Sequence, residues 1–307
     1  MPFQTSVRNR MSCIGVGLHT GVHVEMTLVP ASADSGIRFR RIDVTDRPNL
    51  IPAQFDNVGA TGYGTVVQND AGVSVSTVEH LMAALSGLGV DNVTIEIDGP
   101  EVPVMDGSAA PFVFLIECAG VKELSRPRRA LVIREKVEIV DGDKKVGLYP
   151  ADRFSVTFEI DFEADAIGRQ FRALEVTESS FKSQIARART FGFLHEVEYL
   201  NKRGLARGAS LDNAVVLSDG KVLNRGGVRF GDEFVRHKIL DAIGDLALAG
   251  FPIQGAYRAV RAGHTLNNQL LRTLFDRDQA YEIVTLSPAM APAYVPAHKD
   301  GLRLAMA

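Results

Sequence analysis

Glu79-His-Leu-Met-Ala-Ala-Leu-Ser-Gly87 and Arg236-His-Lys-Ile-Leu-Asp-Ala-Ile-Gly244 run in parallel down the chain. Each starts with a charged residue followed by His, continues through small and aliphatic residues, and ends on Gly. Their dense apolar content predicts two helices that are mostly buried. The first is expected from a cap at Ser76 to a stop at Gly87 or Gly89, with Glu79 three residues after Ser76 completing a capping box. The second is expected from Asp232 to about Ala249. The echo is short, but strands are expected ahead of both helices. Together these features predict an α+β fold of two similar domains, each a β-sheet layer with helices. Packed helix to helix as a β-α-α-β sandwich, the domains would hold a site between them.

Strand patterns surround the first helix. Val22, Val24, Met26 and Leu28 alternate with His23, Glu25 and Thr27, which is the period of a half-buried strand. Gly36–Arg40 repeats the alternation, and Asn69-Asp-Ala-Gly72 reads as a hairpin turn between Gly64–Gln68 and Gly72–Ser76. A strand over Asn92–Asp98 and a helix from Ala109 to Ala119, capped by Asp106-Gly-Ser108 and stopped by Gly120, complete the first unit. Lys122–Arg129, polar and carrying Pro127, reads as a linker, placing the expected domains at 1–126 and 127–307. The second unit shows strands at Leu131–Glu135, Lys145–Tyr149 and Phe154–Ile160, then a helix opened by Ser179 or Ser180 that runs through Phe181, Ile185 and Ala188. Phe191–Val216 reads as an irregular insertion. A strand near Gly255–Val260 and a helix from about Leu266 follow the second key helix.

Bulk properties narrow the function. Apolar residues make up 46% and charged residues 23% of 307 residues, within the globular range and long enough for two cores. A net charge of −3 offers no basic surface for a phosphate backbone, so nucleic-acid binding is not expected. Cys13 and Cys118 stand alone, which predicts two buried thiols in a reducing compartment. The first residues lack the apolar core of a signal peptide, and no apolar run nears the roughly 20 residues of a membrane span. The expected setting is the cytoplasm, with peripheral contact to a membrane surface left open.

Three constellations carry chemistry. His237 and Asp241 lie one helical turn apart on one face, a spacing that lets imidazole and carboxylate reach one metal ion. Asp245 extends the same stripe. On spacing alone an ordinary His–Asp pair is the simpler account. His80 offers a third ligand from the echoed helix, and a catalytic zinc takes three protein ligands with one open position. Glu79 beside it could take a proton from the attacking water, or serve only as the partner of Ser76 in the capping box. His264, after Gly263 between a strand and a helix, could be a proton donor supported by Asp245 or a solvent-exposed loop residue. His19, His23, His195 and His298 are read as structural.

Gly17-Leu-His-Thr-Gly21, Ser76-Thr-Val-Glu-His-Leu81, Val104-Met-Asp-Gly-Ser-Ala-Ala-Pro-Phe112, Ala188-Arg-Thr-Phe-Gly-Phe193, Phe234–Asp245 and Gly263-His264 with Leu266-Asn-Asn268 carry a further signal. In these stretches, spread over nearly the whole chain, the sequence resembles the UDP-3-O-acyl-N-acetylglucosamine deacetylases of lipid A (lipopolysaccharide) biosynthesis. The resemblance implies a cytoplasmic hydrolase that releases acetate from the N-acetyl group of UDP-3-O-acyl-N-acetylglucosamine, the committed step of that pathway. It implies Zn²⁺ on His80, His237 and Asp241, Glu79 as general base and His264 as general acid. Thr190 would polarise the amide carbonyl, Asp245 would hold His264, and Lys238 would contact substrate. Phe191 and Phe193 fall where the family handles the sugar and acyl chain. Leu194, Val197 and Leu211 fall in its acyl passage, near 191–216. Nothing is carried over around Tyr63 or to the tail after Ser287. Peripheral contact with the inner membrane stays open. An inactive homologue that binds the nucleotide-sugar lipid without hydrolysis would be expected to lose Glu79 or a ligand, and none is lost.

Overall fold

Period-two patterning decides the first layer. The computed structural model describes residues 2–286. The chain begins with β1 (Phe3–Val7) and β2 (Met11–Val16), then β3 (His23–Pro30). In β3 the side chains of Val24, Met26 and Leu28 are buried while His23 and Glu25 face solvent, as their alternation predicts. Val22 instead precedes the strand and is exposed. β4 (Ile37–Arg41), β5 (Leu50–Pro52) and the short hairpin β6 (Val67–Gln68) and β7 (Ser74–Val75) lead into α1 (Glu79–Gly87). β8 (Val93–Ile97) and α2 (Ala110–Ala119) follow, and Gly120 at φ +69 ends α2 in a conformation that favours glycine.

Lys122–Arg129 is not a linker. Val121–Pro127 forms β9, which pairs antiparallel with β1, and Arg129–Ile133 forms β10. Backbone pairing to a distant strand overrides polar composition there. The second half continues with β11 (Val137–Asp141), β12 (Lys144–Tyr149), β13 (Ser155–Asp161) and β14 (Arg169–Glu175). A short helix α3 (Glu178–Ser180) passes into a π-helical turn over Phe181–Ile185. Its cap is Thr177, whose hydroxyl accepts the Ser180 N–H, rather than Ser179 or Ser180, and the helix ends before Ala188. The segment expected to be irregular is ordered: β15 (Phe191–Phe193), α4 (Leu194–Lys202) and β16 (Val215–Ser218) make a parallel strand pair joined by a helix, with β17 (Lys221–Val222) alongside. Then come α5 (Glu233–Ala247), β18 (Ile253–Gln254), β19 (Ala256–Val260), α6 (His264–Phe275) and β20 (Tyr281–Thr285). The tail after Ser287 and His298 lie outside the described residues.

The two halves share a topology. One five-stranded sheet has the order β2-β3-β8-β4-β5 and the other β11-β12-β19-β13-β14. In each, two hairpins flank a strand that comes later in the chain, antiparallel to one hairpin and parallel to the other. In each, a helix precedes that inserted strand (α1 or α5) and a second helix follows it (α2 or α6). α2 lies against α1 and β2, while α6 lies against α5, β11 and β12. α1 and α5 pack on one another, and a continuous apolar core joins both sheets to the helices between them. The α+β class and the duplicated unit therefore stand as read from sequence.

The helix–helix contact is tight at one point. A Cβ added to Gly244 would sit 2.0 Å from the carbonyl oxygen of Glu79. No side chain fits there, so the two backbones approach as closely as glycine permits. Gly244→Ala should destabilise the protein by about 1–3 kcal/mol or more through overpacking. Chemical denaturation should register this as a lower midpoint with an unchanged slope.

Candidate metal centre

The α1–α5 crossing sets the site. His80, in the first turn of α1, meets the His237–Asp241 face of α5. His237 Nε2 lies 3.3 Å and His80 Nε2 3.6 Å from Asp241 Oδ1. One ligand atom from each of the three residues falls within 4.8 Å of the others, and all three residues are buried. Two imidazole nitrogens and one carboxylate oxygen form the N, N, O donor set that suits a divalent metal with an open coordination position. The surroundings orient these donors. The Ala188 carbonyl oxygen lies 3.0 Å from His237 Nδ1 and accepts its N–H, turning Nε2 towards Asp241. Lys238 Nζ donates to Asp241 Oδ2 at 2.7 Å, leaving Oδ1 to face the two histidines.

Electrostatics favour ligation. Burial pushes the His237 imidazole down to about 4, against the opposing pull of Asp241, so the ring is neutral and keeps a lone pair for a metal. Burial would raise the Asp241 carboxyl, but the neighbouring His237 imidazole and the Lys238 cation hold it well below the usual carboxylate range. Lys238 stays cationic because Asp241 outweighs its burial.

Glu79 and His264 approach from two directions. Glu79 is buried at the start of α1, and its Oε2 accepts the Thr65 N–H at 3.0 Å. The expected capping box is absent: Ser76 donates to the Pro100 carbonyl, and α1 begins at Glu79 without a side-chain cap. Thr77 sits at φ +57, so the chain enters α1 through a sharp turn that carries Ser76 away from the helix end. Burial raises the Glu79 carboxyl, with His264 and His80 opposing. His264 is the first residue of α6 rather than a loop residue. Its Nδ1 donates to Asp245 Oδ2 at 2.8 Å, and its Nε2 lies 4.0 Å from Asp241 Oδ2. Burial disfavours its charge, but Asp245 outweighs that and raises the group to about 9.

The remaining expected residues fall into two groups. Thr190 lies two residues after Ala188 and is fixed by backbone bonds to Gly107 and Val215. Phe191 packs edge-on to Phe234 and His237, and Phe162 meets both Phe191 and Phe193. Leu194 and Leu211 are exposed, at 41% and 48%, and Val197 is half-buried on α4. His23 and His195 are exposed, and His19 Nε2 lies 2.8 Å from the Tyr63 carbonyl oxygen. The thiols are not both buried: Cys118 is exposed on the outward side of α2, and Cys13, packed against the core from the edge strand β2, is only half-buried. Sequence reading missed Thr65, Asn267, Arg189 and Glu233. Glu233 is fully buried in the first turn of α5 and accepts bonds from the Arg189 backbone and guanidinium. Glu233 thereby clamps the segment whose Ala188 carbonyl orients His237.

The chain matches the family model described as "UDP-3-O-acyl N-acetylglycosamine deacetylase" over residues 4–276. The chain belongs to this family. A UDP-3-O-acyl-N-acetylglucosamine deacetylase of Teredinibacter turnerae is 50% identical over 284 residues, covering 92% of this chain and 93% of that protein. One of the same name from Phenylobacterium zucineum is 50% identical over 291 residues, covering 95% and 99%. The family match takes in both echoed helices and every site residue described above.

Glu233→Ala would strand the Arg189 guanidinium in the interior. It should cost about 3–5 kcal/mol, the usual penalty for breaking a buried ion pair, read as a fall in the unfolding free energy. His237→Ala should abolish stoichiometric metal binding, measured by elemental analysis of the purified protein.

Proposed function

We propose that the protein is a Zn²⁺-dependent deacetylase. It would hydrolyse the N-acetyl group of UDP-3-O-acyl-N-acetylglucosamine to acetate and the free glucosamine amine, in the cytoplasm and as a step of lipid A biosynthesis. The observation that carries this reading is that an acid and a base, Glu79 and the Asp245–His264 pair, flank one N, N, O donor set. The names of both relatives support the substrate. The repeated topology supports two units, 1–126 and 127 onward, with the site at their seam. No described helix is long and apolar enough to cross a membrane, and contact with the inner membrane would be peripheral.

A Zn²⁺ ion on His80, His237 and Asp241 would supply Lewis-acid polarisation of the amide carbonyl and a water of near-neutral acidity. The protein's own groups do the rest. Glu79, held by the Thr65 amide, takes a proton from the attacking water. Thr190 donates to the developing oxyanion, a contact worth roughly 3 kcal/mol. His264 gives its proton to the leaving nitrogen, and Asp245 keeps it cationic until then. Lys238 holds Asp241 and offers its remaining donors to the substrate. Phe191, Phe193, Leu194, Val197 and Leu211 would line the path of the acyl chain. The exposure of Leu194, which follows Phe193 of the Phe162–Phe191–Phe193 cluster, and that of Leu211 support this. A binder without hydrolytic activity would not need Glu79 and His264 together, and both are in place.

Glu79→Gln should lower kcat by roughly 10²–10⁴-fold while metal content stays stoichiometric. Near-normal turnover would remove Glu79 from the chemistry. The pH profile should be bell-shaped. Glu79 acts as a carboxylate, so activity falls as pH drops through its raised value. His264 acts as a cation, so activity falls as pH rises through about 9. His264→Ala should remove that basic limb. Shortening the substrate's acyl chain should weaken kcat/KM steeply, by up to about 0.8 kcal/mol per buried methylene. Equal efficiency on an unacylated UDP-sugar would discard the acyl path.

A further inference from the structure

Thr65 stands between the proton acceptor and the proton donor. It is 2% exposed and lies on the loop before β6, the segment where the resemblance offered nothing. Three of its atoms are committed. Its N–H donates to Glu79 Oε2 at 3.0 Å. Its carbonyl oxygen accepts the Val78 N–H at 3.2 Å, just ahead of α1. Its Oγ1 donates to Asp245 Oδ1 at 2.5 Å, across 180 residues of sequence. The neighbouring Gly64 sits at φ +142, and a Cβ there would come within 2.8 Å of Glu79 Oε1, so the loop presses directly on the carboxylate.

Asp245 is held on both oxygens by this arrangement. Oδ1 takes the Thr65 hydroxyl, and Oδ2 takes His264 Nδ1 and Asn267 Nδ2, each at 2.8 Å. Asn267 is itself held by the hydroxyl of Tyr257, which donates to its Oδ1 at 2.5 Å. Asn267 and Tyr257 are fully buried, on α6 and β19. A buried carboxylate held by three donors across both of its oxygens has one orientation, and its partner imidazole inherits it. Of these donors only Thr65 also touches Glu79.

We propose that Thr65 is a positioning residue that sets the separation of Glu79 and His264, its amide fixing the first and its hydroxyl fixing the second through Asp245. The two groups come from α1 and α6, on different halves of the chain, and act on opposite ends of one scissile bond. A loss of register between them reduces turnover without weakening substrate binding, because neither contact is made to the substrate. This inference rests on the roles given above to Glu79 and His264.

The test compares Thr65→Val, which keeps the backbone bonds and the shape but removes the hydroxyl, with Thr65→Ser, which keeps the hydroxyl. Each is made in the full chain and in a His264→Ala background. Turnover, KM, zinc content and melting temperature are measured for all of them. Thr65→Val should lower kcat by about 10- to 100-fold, the range seen for partners that orient catalytic and ligand groups, with KM and zinc content unchanged. Thr65→Ser should recover most of that loss. In the His264→Ala background Thr65→Val should cost little more, since its route to the chemistry is already cut. The proposal is overturned if Thr65→Val turns over within two-fold of the parent. It is also overturned if Ser is no better than Val, or if the Val penalty is undiminished without His264. Should Glu79→Gln and His264→Ala themselves turn over normally, the assignment of base and acid fails first and the proposal falls with it.

Discussion

The structure depends on the close crossing of two helix backbones at Gly244 and the Glu79 carbonyl. Helices that carry larger side chains at their contact stay 8–10 Å apart. Glycine at this position allows a nearer approach, and the gain is positional. His80 and Glu79, at the first turn of α1, are brought onto the stripe formed by His237, Asp241 and Asp245. Neither helix has the full set. The apolar remainder of both helices, including Leu81, Met82 and Leu85 on α1 and Val235, Ile239 and Leu246 on α5, is buried in the common core and holds the crossing in place.

That seam also concentrates charge where water is scarce. Glu79, His80, His237, Asp241 and Asp245 are each less than 5% exposed. Isolated, such groups would be expensive to bury. Here each is tied to another, and the pairing sorts them by protonation state. His237 is neutral under burial, whereas His264 is cationic because Asp245 is its neighbour. Two imidazoles that face the same Asp241 carboxylate are thus suited to opposite tasks, one to ligate and one to give a proton. Metal at the triad would add positive charge on the side where Asp241 is anionic.

Much of this was legible in the chain. The alternation in β3, the apolar helices and their echo are local patterns, and the duplicated α+β unit follows from them. The spacing of His237 and Asp241 placed both on one helical face, but ordinary pairing was the simpler account of that spacing until His80 lay beside them. Ser76 and Glu79 show how a local rule misleads. Their spacing fits a capping box, yet Thr77 turns the chain so that Ser76 bonds Pro100 and Glu79 is left to Thr65. Lys122–Arg129 misled for the same reason, since β1 supplies a partner that its own composition does not advertise. Phe191–Val216 lacks strong periodicity because its strands are short and its helix lies on the surface, with few residues committed to a buried face.

Sequence alone determined what each segment could become and, through family resemblance, which residues to watch. Periodicity, glycine stops and side-chain chemistry act over a few residues, and a single chain displays them directly. Only the tertiary structure decided which distant groups share an environment. Thr65 and Asp245 are separated by 180 positions, and Arg189 and Glu233 by 44, with nothing in either neighbourhood to announce the partner. Hydrogen bonding and burial are properties of position in space. The protonation states and orientations on which the site's chemistry rests therefore came into being only when the two halves closed on each other.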